Sequence, residues 1–576
     1  MSVARSVGKS AGMWSAALSI CALTAACTGS VDGGGGPNPP ASGNAGNNGT
    51  GGAGGTGPGN PSAIDPGRVT VRRLNGAEYD NTIRDLIGLD LKPSKMFEFI
   101  EDEWGDGFNN DADVLSLSPI SIEKYLSAAQ FVITQALDPL PANAAIRSRI
   151  VTCTTPATAE AECGKRIVAD FAKRAFRRTV QADELPPYLT LIDLAKTNGD
   201  TFEAGLKLAL ASVLMAPDFL FRVEIDPMFG VQRAVTDFEL ASRLSYFLWA
   251  SMPDAELIAR AEAGVLKTPA EITKQVARML ADPKSSGFTT AMVQQWMHTV
   301  SLQFAKPDVT FYPTWQEPLR AAMEEEVRAF LAPVLGGQTP ARELLTANYT
   351  FANRALGQFY GLPGAANLPV DRFDKVMLTD ARRGGVLRQG SFLVLTSHPN
   401  THSPTKRGKW ILERLLCRKP PPPPPNIPAF EPTQVQGGTL RQKLEKTHHM
   451  MGSICAGCHT FIDPMGFALE NYDGAGLWRD KDNGLDIDAT GSMPETGVKF
   501  NGAAELSAAI AADDRFPACM AKHVLTFALG RHMTDADQPA IDDLGKRFSA
   551  GGFKVPALVD LVAQSPLMTR RTAEKD

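Results

Sequence analysis

The 576-residue sequence lacks most of the signatures by which a function is usually read. No P-loop, dinucleotide fingerprint or nucleophile elbow occurs in it, so it shows no signature of a phosphate-loop NTPase, a Rossmann dehydrogenase or an α/β-hydrolase. Excess positive charge is missing as well. Lys+Arg 58 against Asp+Glu 63 gives a net charge of -5, which leaves no bulk electrostatic case for nucleic acid. There is no fixed-period repeat, and convincing alternating strands are scarce. The marked apolar run, Met13 to Ala26, is too short to span a bilayer as a mature helix. Cysteine and histidine number only eight each, few enough to place one by one.

What is there reads as globular. Hydrophobic content is 43% and charge 21%, and the length predicts about three to five units. Arg5 and Lys9 before the apolar run make residues 1–27 an export signal. Leu23-Thr24-Ala25-Ala26-Cys27 resembles a bacterial lipoprotein box, with Cys27 as the lipidated first mature residue. A signal peptide without lipidation, giving a periplasmic or secreted product, is the alternative. Residues 28–67 then carry 15 of the 51 glycines and almost nothing apolar. Such a stretch cannot offset its ordering entropy by burial, and as a coil it would reach on the order of 35 Å, a tether length.

From Val69 onward the period is mostly 3.6, so the fold class is mainly α: a multi-module helical protein. Thr268-Pro269-Ala270-Glu271 reads as a capping box with Pro at the first helical position, and Thr236 with Glu239 starts another helix. Leu319, Met323, Val327 and Leu331 mark the apolar stripe of a third, with Glu324-Glu325-Glu326 as its wet face. Pro420 to Pro425 is a polyproline II spacer between two modules.

Chemistry concentrates in Cys455-Ala456-Gly457-Cys458-His459. C-x-x-C-H is the attachment signature of haem c. Two thiols presented from one helical turn add across the haem vinyl groups, and the adjacent His459 becomes the proximal iron ligand. The attachment takes place outside the cytoplasm, in agreement with the export signal. The same residues also read as a redox dithiol, a plain disulfide or half a zinc site, the last needing further ligands of which only His448 and His449 are obvious. A single motif means one haem. Met493, in Gly491-Ser492-Met493-Pro494, has the loop context of a distal methionine; Met465, Met520 and Met533 are the other candidates.

The remaining cysteines then pair. Cys153 and Cys163 suit a local disulfide, and Cys417 with Cys519 would staple the segment before the Pro run to the C-terminal helices. The acidic loop from Asp480 to Asp488 lacks the spacing of a calcium loop and reads as a solvated turn. His398 and His402, in a Pro-containing loop, are of the right type to touch a metal or substrate, but such loops are usually exposed.

Several stretches together resemble a known family. They are Arg72-Arg73-Leu74-Asn75 with Glu78-Tyr79-Asp80, Arg174-Ala175-Phe176-Arg177-Arg178 with Ala216 to Arg222, and Leu240 to Trp249 with Tyr349 to Asn353. Further on come Ser403-Pro404 with Arg407-Gly408-Lys409-Trp410, Asp463-Pro464-Met465-Gly466-Phe467 after the haem motif, and Ala528 to Arg531. The chain is similar to the large secreted cytochrome c-like proteins of planctomycetes and myxobacteria, built of five tandem modules of unknown function. The resemblance implies helical modules at 68–135, 150–225 and 234–364, a fourth with the Pro run and haem motif at 380–490, and a fifth at 498–570. It also implies a second-sphere role for His449, which matches a family histidine just before the haem cysteines. The expected function is that of an exported, lipid-anchored monohaem protein passing electrons to a redox partner in the cell envelope. Relatives are associated with secreted sulfatase-like proteins and polysaccharide breakdown. The competing expectations are a haem-dependent oxidoreductase with an open iron site and a non-catalytic scaffold. Whether the protein is an enzyme stays open at this point.

Overall fold

The computed structural model describes residues 71–105, 107–153, 159–226, 231–421, 436–450 and 455–572. The export signal, Cys27, the Gly-rich stretch and Pro422 to Pro425 lie outside the described residues. Those described fall within one unit of the fold, Ser62–Asp576.

The protein is mainly α, as its periodicity predicts. The helices used below are α1 (Gly76–Ile87), α2 (Pro119–Leu137), α3 (Glu160–Phe176), α4 (Pro186–Thr197), α5 (Phe202–Met215), α6 (Asp237–Trp249), α7 (Pro269–Ala281), α8 (Pro318–Leu335), α9 (Pro404–Leu415), α10 (Leu440–His448), α11 (Ala456–Phe467) and α12 (Arg515–Leu529). Local sequence explains several starts. Thr236 caps α6 and Glu239 reaches back to close the box. Thr268 caps α7, but the Glu271 carboxylate accepts from Gln275 instead of completing the reciprocal pair. Ser403 caps α9 with Pro404 at its first position. Strands are short and pair only as two-stranded ribbons among the described residues.

Apolar faces collect into cores that do not follow chain order. One is built by α1 to α5 and also takes Tyr246 and Met252 from beyond them. A larger one joins α6, α7, α8, α9, α11 and α12 to the C-terminal helices. A third gathers Trp315, Leu319 and Met323 with Leu356 and Val394. Two ribbons close long circuits. The strand Arg72–Arg73 pairs antiparallel with Phe221–Arg222, and Gln232–Ala234 pairs with Arg570–Thr572.

Buried arginines hold the same circuits. Arg177 donates to the carbonyls of Phe219 and Phe221. Arg243 donates to both Glu224 carboxylate oxygens, at 2.7 and 2.6 Å, and to the Leu567 and Met568 carbonyls. Arg571 reaches the same Glu224. Many of the arginines in the recognisable motifs therefore cross-link segments far apart in sequence.

Three expectations about exposure are corrected. Glu326 is not on the wet face of α8: it is 1% exposed, accepts from the hydroxyls of Thr350 and Tyr360 at 2.5 and 2.7 Å, and burial pushes its pKa up to about 7 against those hydrogen bonds. His402 is 4% exposed, with Nε2 3.1 Å from both Glu470 carboxylate oxygens and beside the Arg479 guanidinium. Asp482, in the acidic loop, is buried against Arg479 and accepts from the Leu440 amide. In each case a partner distant in sequence offsets the cost of burying a polar group. His398 is exposed, as its loop predicts.

Candidate functional site

The C-x-x-C-H residues open α11. The Cys455 carbonyl accepts from the amides of Cys458 and His459, at 3.2 and 3.0 Å, so one turn presents both cysteines and the histidine. Both thiols are free and half-buried. The two disulfides expected elsewhere are present, Cys153–Cys163 and Cys417–Cys519. Cys458 and Phe461 pack against the large core.

The feature that sequence reasoning missed is Asp463. It lies at i+4 from His459, on the same face of α11, and is completely buried. Its Oδ2 meets His459 Nδ1 at 2.9 Å and His449 Nε2 at 3.0 Å, while Oδ1 accepts from the Thr405 hydroxyl at 2.7 Å. Burial alone would raise this carboxyl, but the bonds from His449 and His459 outweigh it and hold the pKa below the ordinary carboxylate value. With Nδ1 engaged, Nε2 is the nitrogen left to ligate. The His-x-x-x-Asp spacing was the available signal, but spacing alone cannot show that the carboxylate is buried.

His448 and His449 end α10. The His448 ring stacks on His459 with centroids 4.4 Å apart and planes 23° apart. Burial, with the neighbouring His459 next, lowers the His448 pKa. His449 reaches Asp463 and not a position above the motif, and its ring lies 5.9 Å from that of Phe467.

Helix α11 is held at its back by α9. A Cβ on Gly408 would lie 2.1 Å from the Ile462 carbonyl oxygen, and one on Gly466 would lie 1.9 Å from that of Pro404. Only glycine lets the two backbones approach so closely. The buried Arg407 then donates to the carbonyls of Leu469, Tyr472 and Asp473 at 2.7–2.8 Å, fixing the chain that leaves α11. Burial lowers its pKa to about 10.

The donor chemistry fits covalent haem better than zinc. Zinc requires its ligand atoms to converge on one point, and among the described residues no three of Cys455, Cys458, His448, His449 and His459 form such a group. Thioether attachment makes no such demand, since the two sulfurs go to separate vinyl groups. A proximal imidazole whose other nitrogen rests on a carboxylate is a recurring arrangement for metal-bound histidine.

Met493 follows the strand Thr490–Ser492, whose Gly491 packs on the Pro464 turn of α11. The Met493 side chain is 1% exposed in the large core, and Met465, Met520 and Met533 are buried too.

Comparison with known protein families gives five matches in tandem, each described as a protein of unknown function. They are DUF1587 over residues 72–138, DUF1595 over 163–224, DUF1592 over 235–362, DUF1588 over 383–482 and DUF1585 over 496–568. The C-x-x-C-H motif lies within the fourth. No curated protein and no solved structure matches the chain.

Proposed function

For a chain whose five tandem modules of unknown function match those of the cytochrome c-like planctomycete family, we propose a monohaem c-type protein that passes electrons in the cell envelope. The observation that carries this reading is the pair of free thiols on one helical turn, followed by a histidine whose Nδ1 is held by the buried Asp463. Cys455 and Cys458 form the thioethers and His459 ligates through Nε2. Asp463, itself held by His449 and Thr405, fixes the orientation of that ring. Bound there, haem supplies a one-electron iron centre. Met493 is the candidate sixth ligand. Export through residues 1–27 and lipidation at Cys27 would place the protein at the envelope membrane, where a redox protein is its partner. A sulfatase-like protein or a polysaccharide is the further association that the family resemblance implies.

One observation favours a second reading. A carboxylate on Nδ1 makes the proximal imidazole a stronger donor, which suits an open iron that reacts with a peroxide or bound substrate as well as one that only relays electrons. The visible spectrum of the matured protein separates the two. Electron transfer predicts a low-spin, six-coordinate iron that becomes high-spin in Met493→Ala. A wild-type spectrum already high-spin would instead support the open-iron oxidoreductase.

A further inference from the structure

Outside the motif, the described residues bring one other set of metal-binding side chains together. Cys417 lies just beyond α9 in the left-handed region, with φ 51°, and Cys519 sits in the first turns of α12. Their disulfide joins positions 102 residues apart. His523, one turn beyond Cys519 on the same helix, is buried with Nε2 3.6 Å from the Cys417 sulfur. The two sulfurs and this nitrogen lie within 4.8 Å of one another, and no other such trio occurs among the described residues.

The imidazole is prepared as a ligand. Its Nε2 is the ring nitrogen that faces the Cys417 sulfur, the position from which it can ligate. Trp296 and Phe108 flank it, with ring centroids at 5.9 and 6.3 Å. Both cysteines also line a cleft of about 730 Å³, together with Arg418, Arg515 and Lys522.

We propose that reduction of this disulfide creates a zinc site of Cys417, Cys519 and His523, with its fourth position open to the cleft. Tetrahedral zinc with usual Zn–S and Zn–N bonds sets sulfur and nitrogen about 3.6 Å apart, the spacing that Cys417 and His523 already have. A dithiol reductant breaks the S–S bond by delivering two electrons and two protons, giving two thiols and leaving as its own disulfide. Binding of Zn²⁺ then releases both thiol protons to solvent. Disulfide and metal are thus alternative closures of the same seam between α9 and α12.

The test uses the full chain with Cys455→Ser and Cys458→Ser, so that the motif thiols do not compete. After reduction with dithiothreitol and anaerobic desalting, Co²⁺ serves as the spectroscopic probe. The expected result is one equivalent bound with a sulfur-to-cobalt charge-transfer band, absent from the oxidised protein and retained when Cys153→Ser and Cys163→Ser are added. His523→Gln, checked for retained helicity by circular dichroism, should weaken binding at least about tenfold. Reduced protein without the band, or a band and affinity unchanged by His523→Gln, would overturn the proposal. So would loss of the band on adding Cys153→Ser and Cys163→Ser.

Discussion

At the scale of single residues, two buried carboxylates behave in opposite ways, and their surroundings explain why. Asp463 receives bonds from two histidines and a hydroxyl and is held ionised. Glu326 accepts from the neutral hydroxyls of Thr350 and Tyr360, and burial outweighs them together with the Arg383 charge. Asp463→Asn would keep the volume but remove the anionic acceptor on Nδ1. In the proposed haem protein this would make His459 a weaker donor and raise the haem potential by about 60 mV, the equivalent of a tenfold change in relative affinity for the two iron states. A redox titration of the matured variant checks this, and an unchanged potential would remove Asp463 from the proposed role.

Glu326 predicts a pH dependence. Its folded pKa of about 7 lies above the ordinary glutamate value of 4.5, so the folded state holds the proton more tightly than the unfolded chain. This contribution to stability is fully present below pH 4.5 and is lost as the pH rises through 7. It amounts to something on the order of 3 kcal/mol. Denaturant midpoints at pH 5 and 8 should differ less in Glu326→Gln than in the wild type. An equal difference in both proteins would show that another group carries the effect.

At the scale of elements, α11, which carries Cys458 and His459, owes its place to the two-glycine crossing with α9. Gly408→Ala puts a methyl group into a backbone carbonyl, where no side-chain rotation relieves it. The expected cost is about 1–3 kcal/mol, together with a lower yield of covalent haem. A thermal melt and the haem absorbance per chain measure both effects. Elements whose cause is local were legible in sequence: Thr236 and Glu239 start α6, and the Leu319, Met323, Val327 and Leu331 stripe is buried. Elements made by distant pairing were not. The two-residue strand Arg72–Arg73 exists because Phe221–Arg222 meets it, and neither segment shows strand periodicity. His402 looked exposed in its Pro-containing loop, and only Glu470 and Arg479, far along the chain, make its burial possible. Of the candidate site, the thiols and His459 could be read directly. Asp463 could not, because its importance lies in burial and in three partners, two of which, His449 and Thr405, come from other segments.

At the scale of the whole molecule, five modules follow one another in sequence, yet the apolar cores cross their boundaries. Arg243 and Arg571 converge on Glu224, which binds segments matched by three different modules or their edges into one arrangement. The packing behind the motif belongs to that larger assembly: α11 rests on α9, and α9 is stapled through Cys417 to α12. The modules therefore provide the frame that holds Cys455, Cys458 and His459 in place. The central claim is that those residues carry one covalent haem. The pyridine haemochrome and intact mass of the chain, produced with cytochrome c maturation machinery, test it most directly. The account predicts one haem per chain, retained after denaturation, with the spectrum of two thioether links and with attachment disrupted in Cys455→Ala or Cys458→Ala. A wild-type chain that matures without covalent haem would contradict it.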